Sequence, residues 1–182
     1  MNTDFYTSAV ETTPPETFKT PLEERVYAEL ERLGIPFERV DSDPGVTMED
    51  CRNIDRALNA RTVKTIFLCN RQQTRFYLFV TTGGKPFVTK DFGRALEIPR
   101  VSFAPEDKLM EIAGTGHGAA TVLSVCLETA KDVTVVLDED VLKEEFYCCT
   151  DGTATCFVKF RTRDLLDRFL PATGHAPLVV RV

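Results

Sequence analysis

Two adjacent runs of β-branched and aromatic residues constrain the fold of this chain most strongly. The runs cover residues 63–69 and 75–81, and the polar residues 70–74 separate them. Strand-forming residues on both sides of a short polar turn predict an antiparallel hairpin. A second hairpin is predicted where residues 146–149 and 155–160 flank Asp151-Gly152, a strong turn signal. Two hairpins argue against an all-parallel sheet.

Helical signals alternate with these strands. Thr20, proline at 21 and Glu23 form a capping box, and apolar residues at helical spacing follow until Gly34. Thr47 opens a second helix in the same way. Further strands are expected at 35–41, 100–103, 133–137 and 178–182, and further helices at 91–96, from 105 and at 162–170. We therefore expect a mixed α/β fold, with a largely antiparallel sheet surrounded by helices.

The length of 182 residues suits one domain with a sizeable core. We expect that domain over residues 20–182, preceded by a flexible polar tail over 1–19. No run approaches the roughly 20 apolar residues that span a bilayer, and the first 20 residues lack the basic and apolar regions of a secretory signal. These features predict a cytoplasmic protein without a membrane partner.

Positive charge is concentrated in one part of an acidic chain. The net charge is -6, but residues 52–100 hold ten Lys or Arg against three acids. A basic face on an acidic body suits a protein that grips a short piece of a polyanion, and not one that coats long DNA. The alternative is a solvated surface of mixed charge, and charge alone does not separate the two.

The six cysteines are scattered and include no CxxC pair. A zinc site from Cys148, Cys149, Cys156 and a histidine is conceivable, but neighbouring residues on a strand point to opposite faces. We expect reduced, mostly buried thiols, no metal and no cofactor.

Lys64 is the most unusual residue of the first hairpin, because it interrupts an otherwise apolar strand on the face of Ile66 and Leu68. It either extends to water from an edge position or faces a cleft as a cation for a phosphate or a polarised carbonyl. A Walker loop, an HExxH motif and a GxSxG elbow are all missing. The glycines at 114, 116 and 118 favour a tight turn over a nucleotide site.

Several segments, in order, resemble the YbaK/ProX family of aminoacyl-tRNA editing domains, in its prolyl-tRNA deacylase branch. The similarity extends from about residue 20 to 172. It is carried by residues 33–40, 47–51 with 54–55, the strand 63–68, and the segments 100–104, 118–125 and 133–138.

The resemblance implies hydrolysis of the ester between a wrong amino acid and the terminal adenosine of a tRNA, most plainly alanyl-tRNA(Pro). The tRNA acceptor end is then the partner, with prolyl-tRNA synthetase as a second candidate. Lys64 would hold the terminal phosphate or ribose, and the backbone around Gly118 and Ala119 would face the ester. The expected amino-acid pocket consists of Thr65, Leu123, Ser124, Cys148 and Thr153.

The chain also departs from the family pattern. A His-Pro-x-x-Asn-Thr segment is common in the family, and the matching stretch here begins at Cys148-Cys149 and includes Gly152. Thr65 stands where asparagine is common, and Val122 where proline is. These departures leave open a non-catalytic module that binds a tRNA end, an amino acid or a synthetase. A thiol-based redox or metal protein is a third hypothesis, and it rests on the cysteine pair alone.

Overall fold

A computed structural model describes residues 5–45 and 47–182, and these residues form a mixed α/β structure. The helices are α1 (Pro21–Arg32), α2 (Met48–Leu58), α3 (Thr89–Ala95) and α4 (Glu106–Ala113). The strands are β1 (Glu38–Asp41), β2 (Val63–Cys69), β3 (Phe76–Thr82), β4 (Ser102–Phe103), β5 (Thr134–Asp138), β6 (Phe146–Thr150), β7 (Cys156–Arg161) and β8 (Leu178–Val180). The mixed α/β class expected from the sequence is confirmed.

The strands form two sheets. The larger one has the order β4-β2-β3-β5-β8, and the smaller one has the order β1-β7-β6. Both predicted hairpins, β2–β3 and β6–β7, are antiparallel. β5 pairs in parallel with β3 and with β8, so the larger sheet is mixed. A parallel bridge between Thr62 and Cys148 joins the two sheets next to the start of β2.

The main core is shared by one face of each sheet, α1 and the chain after β7. α3 covers the opposite face of the larger sheet, where Phe92 packs with Ile66 and Leu68. α2 covers the opposite face of the smaller sheet through Ile54 and Leu58. Because both outer faces are covered, each strand of the larger sheet can be apolar on both sides.

Local chemistry sets the ends of the first two helices. The Thr20 hydroxyl accepts a hydrogen bond from the Glu23 amide at 3.1 Å, and Gly34 follows α1 with φ of +64°. Thr47 and Asp50 form a complete capping box at the start of α2. In α1 the box is incomplete, because the Glu23 carboxylate accepts from the Lys19 amide instead of the Thr20 amide. Glu23 is therefore turned inward and fully buried.

Short 3₁₀ turns replace a regular element between α4 and β5, at Val122–Cys126 and Glu128–Ala130. The chain after β7 is helical over Thr162–Asp164, Leu165–Phe169 and Leu170–Ala172, and its middle part is wound as a π-helix. No helix in the described ranges is both long and apolar enough to cross a membrane.

The segment before α1 lies along the edge of the smaller sheet. Glu11 and Arg39 exchange two backbone hydrogen bonds of 2.9 and 2.7 Å, and the Ser8 amide donates to the Asp41 carbonyl at 2.7 Å. Arg39 is buried and reaches across to the Glu11 carboxylate and the Thr13 carbonyl. The pairing over 7–11 was not expected for a flexible tail, because the sequence does not show that β1 leaves an open edge. The domain boundary at residue 20 stays a prediction, and residues 1–4 lie outside the described ranges.

Candidate active site at the start of strand β2

Lys64 is the second residue of β2 and pairs with Thr81 of β3. Its side chain lies half-buried on the face of Ile66 and Leu68, as strand alternation predicts, and its ammonium donates to the Lys85 carbonyl oxygen. Burial lowers the pKa of this amine. Among the described residues, no carboxylate forms an ion pair with Lys64. The protein thus holds a cation whose charge is not neutralised by an acid.

Lys85, in the loop after β3, is in the opposite situation. Its ammonium binds Asp138 at 2.8 Å and Asp140 at 2.9 Å, and these hydrogen bonds raise its pKa. Asp138 is fully buried and also accepts from the Thr81 hydroxyl at 2.7 Å. Hydrogen bonds from Lys143 and Lys85 lower the pKa of Asp140 to about 2. Lys85 is therefore neutralised and fixed, and its carbonyl is a rigid acceptor for Lys64.

A pocket of about 270 Å³ opens where β2 begins and β3 ends. It lies between α2, the two strand ends and the start of β6, and its lining includes Met48, Thr62, Val63, Gly83 and Phe146. The volume is close to the lower limit of about 300 Å³ for ligand pockets, so the pocket suits a small group. A second pocket, of about 320 Å³, lies by the smaller sheet around Phe37 and Lys159. We place the candidate site at the first pocket, because its lining includes Gly83 and Gly84, which lead directly into Lys85, the residue whose carbonyl oxygen accepts from Lys64.

Two contacts fix the floor of the first pocket. The amide and the hydroxyl of Thr62 both donate to one oxygen of Asp55 at 2.6 Å. A Cβ on Gly83 would lie 2.8 Å from the Thr62 carbonyl oxygen, which is closer than real contacts allow. Glycine at 83 therefore permits the close approach of β2 and the loop after β3.

Tyr147 is a buried polar residue that the sequence analysis did not single out. Its side chain is fully buried, and its hydroxyl oxygen has no hydrogen-bond partner among the described residues. Burial raises its pKa well above the ordinary value, and Thr65 of β2 lies beside the hydroxyl. Buried hydroxyls normally have partners, and Thr65 is the side chain placed to be one. Its place on β6, directly before the cysteine pair, was the only signal in the sequence.

The glycine loop is held by its own hydrogen bonds. Gly118 is exposed with φ of +85°, and the amide of the buried Ala119 donates to the Gly116 carbonyl at 3.3 Å. Leu123 and Ser124 are fully buried, and the Ser124 hydroxyl donates to the Ala113 carbonyl at 2.7 Å. Both belong to the interior, where the sequence analysis expected pocket walls. Contact of these four residues with a substrate stays a prediction.

The remaining predicted residues lie on β2 and around the second hairpin. Thr65 follows Lys64 and is half-buried. Cys148 is fully buried, and its sulfur lies 3.6 Å from the Thr62 hydroxyl, which connects it to the floor of the pocket. Thr153 donates from its hydroxyl and its amide to Asp151, at 2.8 and 3.0 Å, and so stabilises the hairpin turn. The structure brings Lys64, Thr65 and Cys148 to the start of β2 and leaves Thr153 in the turn.

The thiols do not form a shared site. Cys148 packs with Ile54 and Leu58 under α2, whereas Cys149 belongs to the main core, because adjacent strand residues face opposite sides. Burial raises the pKa of Cys148 to about 12. A thiol this weakly acidic is a poor nucleophile at neutral pH, which argues against the redox hypothesis.

One group of three side chains in the described ranges has the composition of a metal site. The ligand atoms of Glu23, Asp151 and Cys156 lie within 4.8 Å of one another, and all three residues are buried. Tyr27 donates a hydrogen bond of 2.9 Å to Asp151. Burial raises the pKa of Glu23, with a further contribution from Asp151. The arrangement suits a proton held between the two carboxyl groups.

Comparisons with known proteins agree with this fold. "Prolyl-tRNA synthetase associated domain-containing protein 1" of Danio rerio is 27% identical over 153 residues, which cover 83% of this chain and 82% of the relative. "Prolyl-tRNA editing protein ProX" of Acetoanaerobium sticklandii is 25% identical over 152 residues, which cover 82% and 91% of the two chains. A solved structure of a candidate trans-editing enzyme for prolyl-tRNA synthetase superposes with a TM-score of 0.68 at 19% identity, over 91% of this chain and 99% of that one.

The hypothetical protein APE2540 has the same fold, with a TM-score of 0.67 at 20% identity, over 87% of this chain and 98% of that one. The profile of the aminoacyl-tRNA editing domain matches residues 42–168, well over half of the chain. This chain therefore belongs to the family of YbaK/ProX-type aminoacyl-tRNA editing domains.

Proposed function

We propose that this protein is a trans-editing deacylase that hydrolyses mischarged tRNA, with alanyl-tRNA(Pro) as its first substrate. The carrying observation is the ammonium of Lys64, which has no carboxylate partner among the described residues and donates to Lys85, in the loop that also lines a pocket of about 270 Å³. A tRNA 3′ end supplies both the anion and a small acyl group. The family supports an editing reaction, and the curated relatives are described by their association with prolyl-tRNA synthetase or by prolyl-tRNA editing.

The hydrolysis requires few catalytic groups from the protein. Water adds to the ester carbonyl carbon, the bond to the ribose oxygen breaks, and a proton from the water passes to that oxygen. The products are a free amino acid and a tRNA with an intact terminal ribose. Lys64 holds the phosphate or ribose of the 3′ end, which positions the ester, and donors near the carbonyl stabilise the developing negative charge. No protein nucleophile is required, which is consistent with the weakly acidic thiol of Cys148.

An editing site has to distinguish alanine from proline, which differ in size. A synthetase site shaped for proline cannot strongly reject alanine, because a few lost apolar contacts change binding by only about 1–3 kcal/mol. A second site that admits alanine and is too small for proline corrects the error. We propose that the rigid floor made by Thr62 and Gly83 sets this limit.

The first test measures deacylation of alanyl-, cysteinyl- and prolyl-tRNA(Pro) by the wild-type protein and by Lys64→Ala. We expect alanine to be released, proline to be retained, and Lys64→Ala to lower kcat/KM by at least 100-fold through lost positioning. Lys131→Ala is a matched control, because Lys131 is an exposed lysine whose ion pair with Glu128 lies outside the site. Full activity of a folded Lys64→Ala protein would overturn the role of Lys64.

A non-catalytic binding module is the second candidate function. The observation that favours it is the replacement of the family's His-Pro-Asn segment by a stretch in which Cys148 is fully buried. Tight binding of tRNA(Pro) or of prolyl-tRNA synthetase, with all three esters left intact, would establish it in place of the deacylase.

A further inference from the structure

A basic furrow runs across the end of the larger sheet, away from Lys64. It consists of two adjoining depressions of about 690 and 390 Å³ that share Ile98 and Arg100. The β2–β3 turn contributes Arg71 and Arg75 to the first, and α3 contributes Lys90 and Arg94 to the second. We call Arg71, Arg75, Lys90, Arg94 and Arg100 the basic furrow. Five cations thus line one continuous groove.

The charges of the basic furrow are largely uncompensated. Within the described ranges, Arg71, Arg75, Lys90 and Arg100 form no ion pair, and Arg94 approaches Asp91 only to 3.9 Å. Several exposed cations elsewhere are paired, for example Lys143 with Asp140 at 2.6 Å. The chain as a whole carries a net charge of -6. An acidic protein with a cluster of unpaired arginines has a surface suited to a polyanion.

The furrow and Lys64 lie on the same face of the larger sheet. Lys64 shares this face with Ile66 and Leu68, and α3 packs over the same residues through Phe92. β2 extends from Lys64 to the turn that holds Arg71. Five steps of about 3.3 Å separate Lys64 from Cys69 at the end of the strand by about 17 Å, and Arg71 lies beyond it. A polymeric ligand is needed to reach both.

An exposed aromatic ring lies on the same face. Phe103 of β4 is 61% exposed and pairs with Leu68, which places both side chains on the α3 side of the sheet. Phe103 and Phe87 form an edge-to-face contact, and their ring centroids are 5.8 Å apart. Phe87 belongs to the loop that supplies the acceptor for Lys64. A nucleic-acid base can stack on such a ring without regard to its sequence.

We propose that the basic furrow binds the phosphate backbone of the double-stranded acceptor stem, and that Phe103 stacks an unpaired nucleotide of the 3′ end on its way to Lys64. This assignment rests on the proposed function. Arginine is suited to it, because its planar fork binds phosphate oxygens in two places. Backbone contacts fix the position of a duplex and carry no sequence information. The furrow therefore supplies affinity and orientation, and selection of the acyl group stays with the pocket.

The test measures binding of an uncharged tRNA(Pro) acceptor minihelix by fluorescence anisotropy at several salt concentrations. We expect Arg75→Gln/Arg100→Gln to weaken binding roughly tenfold and to reduce the slope of log K against log salt by about two. Arg163→Gln/Arg168→Gln removes the same charge from exposed positions on the helical segment after β7 and should change neither quantity. Equal binding by both double variants would overturn the proposal.

Phe103 is tested separately with two forms of the minihelix. Phe103→Leu keeps an apolar side chain and removes the stacking surface. We expect it to weaken binding of the minihelix with its unpaired 3′ end by roughly fivefold or more, since stacking contributes about 1–3 kcal/mol per base. Binding of a blunt minihelix should not change. Equal loss on both forms would refute the stacking role.

Two further measurements separate this proposal from the deacylase itself. Furrow variants should hydrolyse alanyl-adenosine as the wild type does and lose activity only on full-length tRNA. If the wild type binds the minihelix through the furrow but hydrolyses neither ester, the deacylase fails and the furrow stands. If polyglutamate competes as well as the minihelix does, the surface recognises acidic protein, and the RNA assignment is wrong.

Discussion

Lys64 and Lys85 share one hydrogen bond but differ in where their charge is balanced. Lys85 binds two carboxylates, whereas Lys64 has a carbonyl oxygen as its acceptor. Burial disfavours the charged form of Lys64 and lowers its pKa, and an arriving phosphate would favour the charged form again. The deacylation assay of Lys64→Ala measures how much this cation contributes to kcat/KM.

Tyr147 carries a prediction with two readouts. Removing an unpaired buried hydroxyl relieves its desolvation cost, so Tyr147→Phe should raise the free energy of unfolding by about 1 kcal/mol in urea denaturation. The same change should leave kcat/KM for alanyl-tRNA(Pro) unchanged, because the hydroxyl is buried in the main core and does not line the pocket. Tyr77→Phe is the matched control on β3. A less stable Tyr147→Phe protein would show that the hydroxyl has a partner inside the fold.

Glu23 makes stability depend on pH. Burial holds its pKa above the ordinary 4.5, so the folded protein keeps a proton that the unfolded chain loses above that pH. The stabilisation is complete below pH 4.5 and is lost as the pH rises through the folded-state pKa. Glu23→Gln cannot ionise, and its advantage over the wild type in urea denaturation should grow from pH 4.5 to pH 8.

Glu24→Gln is the control for that experiment, since Glu24 is the exposed neighbour of Glu23 in α1. The free energy of unfolding of Glu24→Gln should change with pH in the same way as that of the wild type. If the free energy of unfolding of Glu23→Gln also changed with pH as that of the wild type does, the proton would not be held at the Glu23 carboxyl group.

At the scale of elements, the segment over residues 5–19 supports β1 from the outside. Arg39 is 3% exposed and depends on this segment for the Glu11 carboxylate at 2.6 Å and the Thr13 carbonyl at 2.7 Å. Deleting residues 2–15 removes both of these partners and leaves Asp41 as the remaining partner of the guanidinium. We expect a loss of about 2–3 kcal/mol and a fall in Tm of roughly 4–10 °C.

An Arg39→Met background isolates this contribution. Without the guanidinium, the same deletion should lower the stability clearly less. The difference between the two losses measures the coupling between Arg39 and the deleted segment. An equal fall in Tm in both backgrounds would assign the stabilisation to the backbone pairing of Glu11 with Arg39 instead.

Elements governed by neighbouring residues were predictable, and long-range pairings were not. The caps at Thr20 and Thr47 and the hairpin of β2 and β3 follow from local chemistry, and the structure contains them. The parallel pairing of β5 with β3 joins residues more than 50 positions apart, which no local pattern specifies. Glu23 satisfied the capping-box pattern but turned inward, because its other neighbours are brought there by the second hairpin.

At the scale of the whole molecule, the site was only partly predictable for the same reason. Lys64 was identifiable because a charge in an apolar strand is visible in the sequence. Tyr147 was not, since its missing partner is a property of the packed core. Leu123 and Ser124 are fully buried, and their place in the amino-acid pocket stays a prediction. The resemblance identified the family. Which charged side chains lack an ion-pair partner could be read only from the packed structure.

The anchored loop after β3 has a thermodynamic consequence for the whole protein. Asp138 and Asp140 accept from Lys85 of this loop, and Thr81 donates to Asp138, before any substrate arrives. Fixing the backbone of a mobile residue costs about 1–2 kcal/mol, and a loop ordered in advance removes that cost from binding. The free energy of contact with the 3′ end is then not consumed in organising the protein. Small differences between acyl groups can therefore appear undiminished in the rates at which their esters are cleaved.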